Sequence, residues 1–148
     1  LRVAGRYNRS GILDLQTSVE KSELRHAVKD ALTHYWGGPR LTDNPLMGLK
    51  IIQDAVYEGE QNSTNALRSV LKSAIEQIRP DGERRYTGEW LLYNILDMKV
   101  LEGKKVREIA LKLALSEADL YRKQRVAIDL ITDEIVKSEL KATGKNGG

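Results

Sequence analysis

The chain has 148 residues and a formal net charge of +3, and it is 41% hydrophobic and 5% aromatic, with no cysteine and no phenylalanine. This apolar fraction excludes wholesale disorder, and the length suits one ordinary domain or two small ones. The absence of cysteine excludes disulfides, thiolate metal ligands and cysteine nucleophiles, and it favours a cytoplasmic location. No apolar run reaches about 18 residues, so we expect no membrane-spanning helix and no membrane partner.

Neither end of the chain predicts packed structure. Residues 1–16 show no helical period and include three arginines, so we expect an arm or linker there. Residues 141–148 finish in Gly-Lys-Asn-Gly-Gly and predict a disordered tail. The chain opens with leucine rather than methionine, so we expect it to be part of a longer protein whose other domains are its partners.

Residues 17–80 predict an N-terminal unit of three helices. Thr17 is placed to cap the first helix, which we expect to run to about Trp36, before a Gly-Gly-Pro stop. Asn44 is expected to cap the second helix, because a proline follows it at the first helical position. The third helix is expected to begin at Ser63, and it has the most regular apolar stripe in the chain.

Residues 81–140 predict a second unit, which follows a Pro-Asp-Gly turn. A fourth helix is expected over 83–101 and a fifth over 105–115. Ser116 is placed to cap a long sixth helix that continues to about residue 140. The predicted fold class is therefore all-α, with about six helices.

The segment 106–131 has the spacing of a helix-turn-helix. Its two helices can cross closely only if a small residue lies between them, and Ala110 holds that position. From Lys104 to Arg125 there are seven basic and three acidic residues, so this window carries +4, more than the whole chain. The pattern predicts a second helix whose basic side faces phosphate. Two consecutive amphipathic helices in an ordinary bundle are the alternative interpretation.

The run IALKLALSEADLYRKQRVAIDL resembles the terminal, region-4 helix-turn-helix of bacterial sigma factors and related regulators. The matching positions are Ile109, Ala110, Leu113, Leu115, Ser116, Leu120, Arg122, Ala127 and Ile128. Ala114 stands where that family prefers glycine. More loosely, the chain from Leu24 to Leu130 is similar to a domain of multidomain bacterial signalling proteins, including those with a STAND-type NTPase. The resemblance implies a DNA-binding output or targeting module.

The preferred interpretation is a module that binds duplex DNA for a bacterial transcriptional or signalling regulator, with the sixth helix in the major groove. The residues expected at or near base edges are Glu117, Ala118, Tyr121 and Arg122. The residues expected to hold phosphates are Lys104, Lys105, Lys123 and Arg125. The acids Glu117 and Asp119 repel phosphate, although both favour a helix N-terminus and either can accept a hydrogen bond from cytosine N4.

Two other interpretations stay open. The same helices suit a protein-interaction module, because the apolar face of the last helix, with Ile128, Ile131, Ile135 and Val136, is wider than a helix-turn-helix needs. That face also suits a homodimer. A third interpretation is a structural helical bundle of a phage or mobile-element protein.

No group of residues indicates catalysis. The sequence has no phosphate-binding loop of the GxxxxGK[ST] type and no nucleophile system. His26 and His34 lie two helical turns apart, about 12 Å, which is too far for both to bind one metal ion. We therefore expect no enzymatic activity, no cofactor and no metal site.

Overall fold

The computed structural model describes residues 18–59 and 61–144, and within these ranges the chain is all-helical with no strand. The α-helices of this part are α1 (Ser18–Thr33), α2 (Pro39–Thr42), α3 (Lys50–Gly59), α4 (Ser63–Gln77), α5 (Leu91–Leu96), α6 (Val106–Leu113) and α7 (Glu117–Ala142). Two 3-10 turns cover Pro45–Gly48 and Gly88–Trp90, and a π-helical turn covers Asp97–Leu101. The predicted all-α class is confirmed, and seven α-helices in the described part are close to the expected six.

Some expectations at the two ends lie outside the described residues. These are the arm at 1–16, the cap at Thr17 and the last four residues, 145–148. The disorder expected from residue 141 is wrong for the first of these residues, because Lys141 and Ala142 still belong to α7. The helix extends this far because the backbone N–H of Thr143 donates to the carbonyl oxygen of Glu139, 2.9 Å away.

α7 is the central helix of the fold. It packs against α1, α3, α4, α5 and α6, and so it joins the two units expected from the sequence. Ile128, Ile131 and Ile135 belong to the main hydrophobic core, together with buried residues of α1 and α4. Intrachain packing therefore accounts for the wide apolar face of this helix, the feature that favoured a protein partner or a homodimer. The division at residues 80–81 stays a prediction.

The second helix predicted from the sequence corresponds to α3, and it begins later than expected. Asn44 acts as a cap as expected, and its side-chain oxygen accepts a hydrogen bond from the backbone N–H two residues on, at 2.8 Å. The residues after it form only a 3-10 turn, and Leu49 is extended. α3 starts at Lys50, where the Glu139 carboxylate accepts hydrogen bonds from the backbone N–H groups of Lys50 and Ile51, each at 3.0 Å. A side chain of α7 thus caps α3.

The prediction of a fourth helix over 83–101 is wrong in its first part, and α5 with its two flanking helical turns covers the rest. Residues 84–86 are not helical, and regular structure starts at Gly88. Nε of Arg84 donates to Oδ1 of Asn94 at 2.9 Å, and Nη1 of Arg84 lies 2.7 Å from Oδ2 of Asp97. The Asn94 amide in turn donates to the carbonyl oxygen of Arg85 at 2.9 Å. These bonds hold the segment beside α5 and so replace a further helical turn.

Candidate nucleic-acid interface

α6 ends in a left-handed turn. Ala114 has φ 56° and ψ 45°, and it is the one non-glycine residue with a positive φ in the described part of the chain. Its N–H donates to the carbonyl oxygen of Leu111 at 3.3 Å, and the N–H of Leu115 donates to that of Ala110 at 2.9 Å. This pair of bonds is a Schellman motif. An alanine in this conformation costs about 1–2 kcal/mol, which explains why glycine suits the position better.

α7 begins immediately after this turn. Ser116 is extended, and its Oγ accepts a hydrogen bond from the backbone N–H of Asp119 at 3.0 Å. The expected cap is therefore confirmed. Only Ala114, Leu115 and Ser116 separate the end of α6 from the start of α7, so this segment is a helix, a short turn and a second helix, as the spacing predicted.

A separate small core holds the two helices together. Its buried members are Ile95, Met98, Ile109, Ala110 and Leu120, and Leu113 and Leu115 pack at its edge. Ala110 is 5% exposed, in the position that the sequence assigned to a small residue between the helices. Because this core includes residues of α5 and the π-helical turn, the helix-turn-helix also packs against these two elements.

The solvent side of the first turns of α7 presents most of the predicted site. Glu117, Ala118, Tyr121, Arg122, Lys123 and Arg125 are all exposed. Ala118, Arg122 and Arg125 follow one another at spacings of four and three residues, so they form one stripe along the helix. Leu120 and Ala127 are fully buried on the opposite side. The structure thus places these six predicted residues on one short stretch of helix surface.

One acid on this surface is neutralised by a neighbour. A guanidinium nitrogen of Arg122 donates to the carboxylate of Asp119, and this contact is an ion pair within α7. The hydrogen bond from Arg122, together with the one at Ser116, lowers the pKa of Asp119 below its ordinary value. Asp119 is therefore ionised at neutral pH, and it pairs with Arg122, which is one of the residues predicted to contact DNA. Glu117 is exposed.

The two lysines before α6 occupy different surroundings. Lys105 is exposed and directly precedes the first residue of α6. Lys104 is half-buried, its Nζ lies 3.6 Å from Oε1 of Glu102, and it lines a shallow cleft with Trp36 and Lys99. The structure therefore does not bring Lys104 into the stripe on α7.

Sequence reasoning missed the basic residues of α1 that lie beside α7. Arg25 and Lys29 line a cleft with Tyr121 and Arg125, two residues of the predicted site. A sequence signal for this neighbourhood existed. Lys21, Arg25 and Lys29 recur every four residues on α1 and so share one helix face.

Comparison with protein-family models, curated proteins and solved structures found no match to the chain. The resemblance to the sigma-factor helix-turn-helix thus stays a prediction from the residues. No helix in the described part of the chain has the length and apolar character needed to cross a membrane.

Proposed function

We propose that this chain is the duplex DNA-binding module of a bacterial transcriptional or signalling regulator that acts in the cytoplasm. The observation that carries the proposal is the left-handed closure at Ala114, followed at once by the Ser116 cap. This arrangement fixes α7 across α6, with Leu120 in the core between them, and leaves the other side of the first turns of α7 exposed to solvent. Because helix-turn-helix proteins insert such turns into the major groove, α7 is the candidate recognition helix.

The exposed residues suggest two roles at the DNA. Glu117, Ala118, Tyr121 and Arg122 occupy the first turns, where side chains meet base edges. Phosphates are contacted by Lys105, Lys123 and Arg125. Lys104 contacts a phosphate from the loop that precedes α6. Arg122 must exchange its carboxylate partner Asp119 for DNA, which lowers the net gain from this contact. We therefore propose that affinity for random sequence comes mainly from the phosphate contacts, and that the chain acts by binding rather than by catalysis.

A protein-binding function is the second candidate, and one observation favours it. Leu111 on α6 is 78% exposed, and Tyr86, in the loop before α5, is 57% exposed. Apolar side chains at this level of exposure suit contact with another domain of a longer protein. The face of α7 that first suggested such a partner does not support this candidate, because the core covers it.

The experiment is a titration of random-sequence duplex DNA at low salt. The test protein carries Arg122→Ala, Lys123→Ala and Arg125→Ala. The matched control carries Lys72→Ala, Lys137→Ala and Lys141→Ala, which remove the same charge from exposed positions on α4 and the second half of α7. We expect the test variant to bind on the order of 100-fold more weakly than the unmodified protein, and the control to bind within about threefold. Equal losses would show that only net charge matters, and no binding by the unmodified protein would favour the protein-binding function.

A further inference from the structure

An ion-pair ladder joins α1 to α7. Nζ of Lys21 lies 2.8 Å from Oδ1 of Asp133, and Arg25 forms an ion pair with Asp129. Moving four residues forward on α1 corresponds to moving four residues back on α7, so the two helices run antiparallel at this contact. Each basic residue of α1 in these two rungs faces an acid of α7.

The third rung breaks the pattern. The same register places Lys29 of α1 opposite Arg125 of α7, and both side chains line one cleft between the helices. Both are exposed, and neither forms an ion pair with another residue of the described part. Two like charges in this arrangement repel each other. An acid at either position would have completed the ladder.

The surroundings of this rung suit an anion. The cleft has a volume of about 390 Å³, and its remaining lining residues are Ser22, Arg25, His26, Tyr121, Gln124 and Ile128. No acid is among the described residues that line it. The nearby carboxylates already have cationic partners, since Asp129 pairs with Arg25 and Asp30 lies 3.4 Å from Arg40. Hydroxyl groups of Ser22 and Tyr121 add hydrogen-bond donors.

We propose that Lys29 and Arg125 together bind a backbone phosphate of duplex DNA, so that α1 forms part of the interface. This inference rests on the proposed function and assigns a DNA contact outside the helix-turn-helix. A phosphate between the two cations removes their repulsion.

Two neighbouring clefts are lined by further basic residues, one of which belongs to the proposed interface. A second cleft shares Gln124 and Ile128 with the first and is lined by Lys99. A third cleft shares Lys99 with the second and reaches Lys104. The basic residues from Arg125 to Lys104 therefore border three neighbouring clefts, and we place a single strand of the DNA backbone along them.

The first test compares two lysines of the same face of α1. Lys29→Ala removes a cation of the third rung, whereas Lys21→Ala removes one that Asp133 already neutralises. For random duplex DNA, we expect Lys29→Ala to bind about 3–10-fold more weakly at low salt and to make the salt slope of binding shallower by up to about 0.9, because Arg125 still contacts the same phosphate. Lys21→Ala should keep the slope of the unmodified protein. If Lys29→Ala keeps its slope while the unmodified protein binds DNA, this inference fails and the proposed function stands. If the unmodified protein does not bind DNA, both fail.

The second test uses thermal unfolding without DNA. Lys29→Glu completes the ladder by placing an acid opposite Arg125, so we expect Tm to rise by about 1–2 °C at low salt and the gain to vanish near about 1 M salt. The same variant should bind DNA more weakly than Lys29→Ala. A lower Tm for Lys29→Glu at low salt would show that the two cations do not face each other, and it would overturn the proposal.

A third test repeats the DNA titrations with inorganic phosphate in place of chloride at equal ionic strength. This replacement should preserve the difference in DNA affinity between Lys29→Ala and the unmodified protein. Loss of that difference would assign the cleft to free phosphate instead.

Discussion

The backbone N–H of Leu115 donates to the carbonyl oxygen of Ala110 at 2.9 Å, and this bond closes α6 over the left-handed residue Ala114. Ala110 is also the small residue that lies in the core shared by α6 and α7. One residue thus supplies both the close packing of the two helices and the acceptor that ends the first of them. The direction in which α7 leaves the turn depends on this pair.

Replacing Ala114 by glycine should stabilise the protein. Glycine adopts a positive φ without the steric cost of a Cβ atom, and its greater freedom in the unfolded state offsets part of the gain. We expect Ala114→Gly to raise the free energy of unfolding by about 0.5–1 kcal/mol in urea titrations, with DNA affinity unchanged. Ala118→Gly is the matched control, and it should destabilise by up to about 1 kcal/mol because Ala118 is in a right-handed helix. Destabilisation by Ala114→Gly would contradict the left-handed turn.

Replacing Glu139 by alanine should destabilise the protein. The buried carboxylate caps α3 through two backbone N–H groups, and its removal leaves both donors without that acceptor. We expect Glu139→Ala to lower the free energy of unfolding by about 1.5–3 kcal/mol. The control is Glu58→Ala, at an exposed position near the end of α3, with an expected change within about 0.5 kcal/mol. An equally small change for Glu139→Ala would show that α7 does not cap α3.

Replacing Asp119 by asparagine should strengthen DNA binding. The substitution removes a negative charge from the surface proposed to face DNA, and it frees Arg122 from its ion pair. We expect an affinity for random duplex about 3–10-fold higher at low salt. Asp133→Asn removes the same charge from the ion-pair ladder between α1 and α7, and it should change affinity much less. Unchanged binding by Asp119→Asn would place DNA elsewhere on the protein.

The lowered pKa of Asp119 determines how this residue's contribution to stability changes with pH. Because the pKa of Asp119 is lowered in the folded state, its ion pair stabilises the fold above the ordinary pKa of an aspartate. That contribution is lost as the pH falls through the lowered pKa. Asp119→Asn should therefore lose less stability than the unmodified protein in an acid titration followed by circular dichroism, and an identical acid dependence would contradict the pair.

The local features of the helix-turn-helix were predictable from the sequence. A hydroxyl at Ser116, a small side chain at Ala110 and an apolar residue at Leu120 act over a few residues, so their spacing carries the information. The left-handed conformation of Ala114 was less predictable, because alanine favours a right-handed helix and gives no turn signal. The family resemblance pointed to the position, but the residue itself does not.

The features that depend on distant residues were not predictable. Glu139 and the two N–H groups that it caps are 88 and 89 residues apart, and nothing local marks a glutamate as a cap for another helix. The segment near Arg84 has helical periodicity, but its ion pair with Asp97 holds it out of a helix. The pairing of α1 with α7 likewise needs the fold, although the spacing of Lys21, Arg25 and Lys29 hinted at a shared face.

The most direct test of DNA binding is the salt dependence of affinity for the unmodified protein. Titrations of random-sequence duplex between about 50 and about 200 mM salt give the slope of log K against log salt, which counts the phosphates neutralised. With Lys104, Lys105 and Lys123 each at one phosphate and Lys29 and Arg125 sharing another, we expect a slope of about −3 to −4. Absence of binding at the lowest salt, or a slope near zero, would contradict a DNA-binding surface on α7.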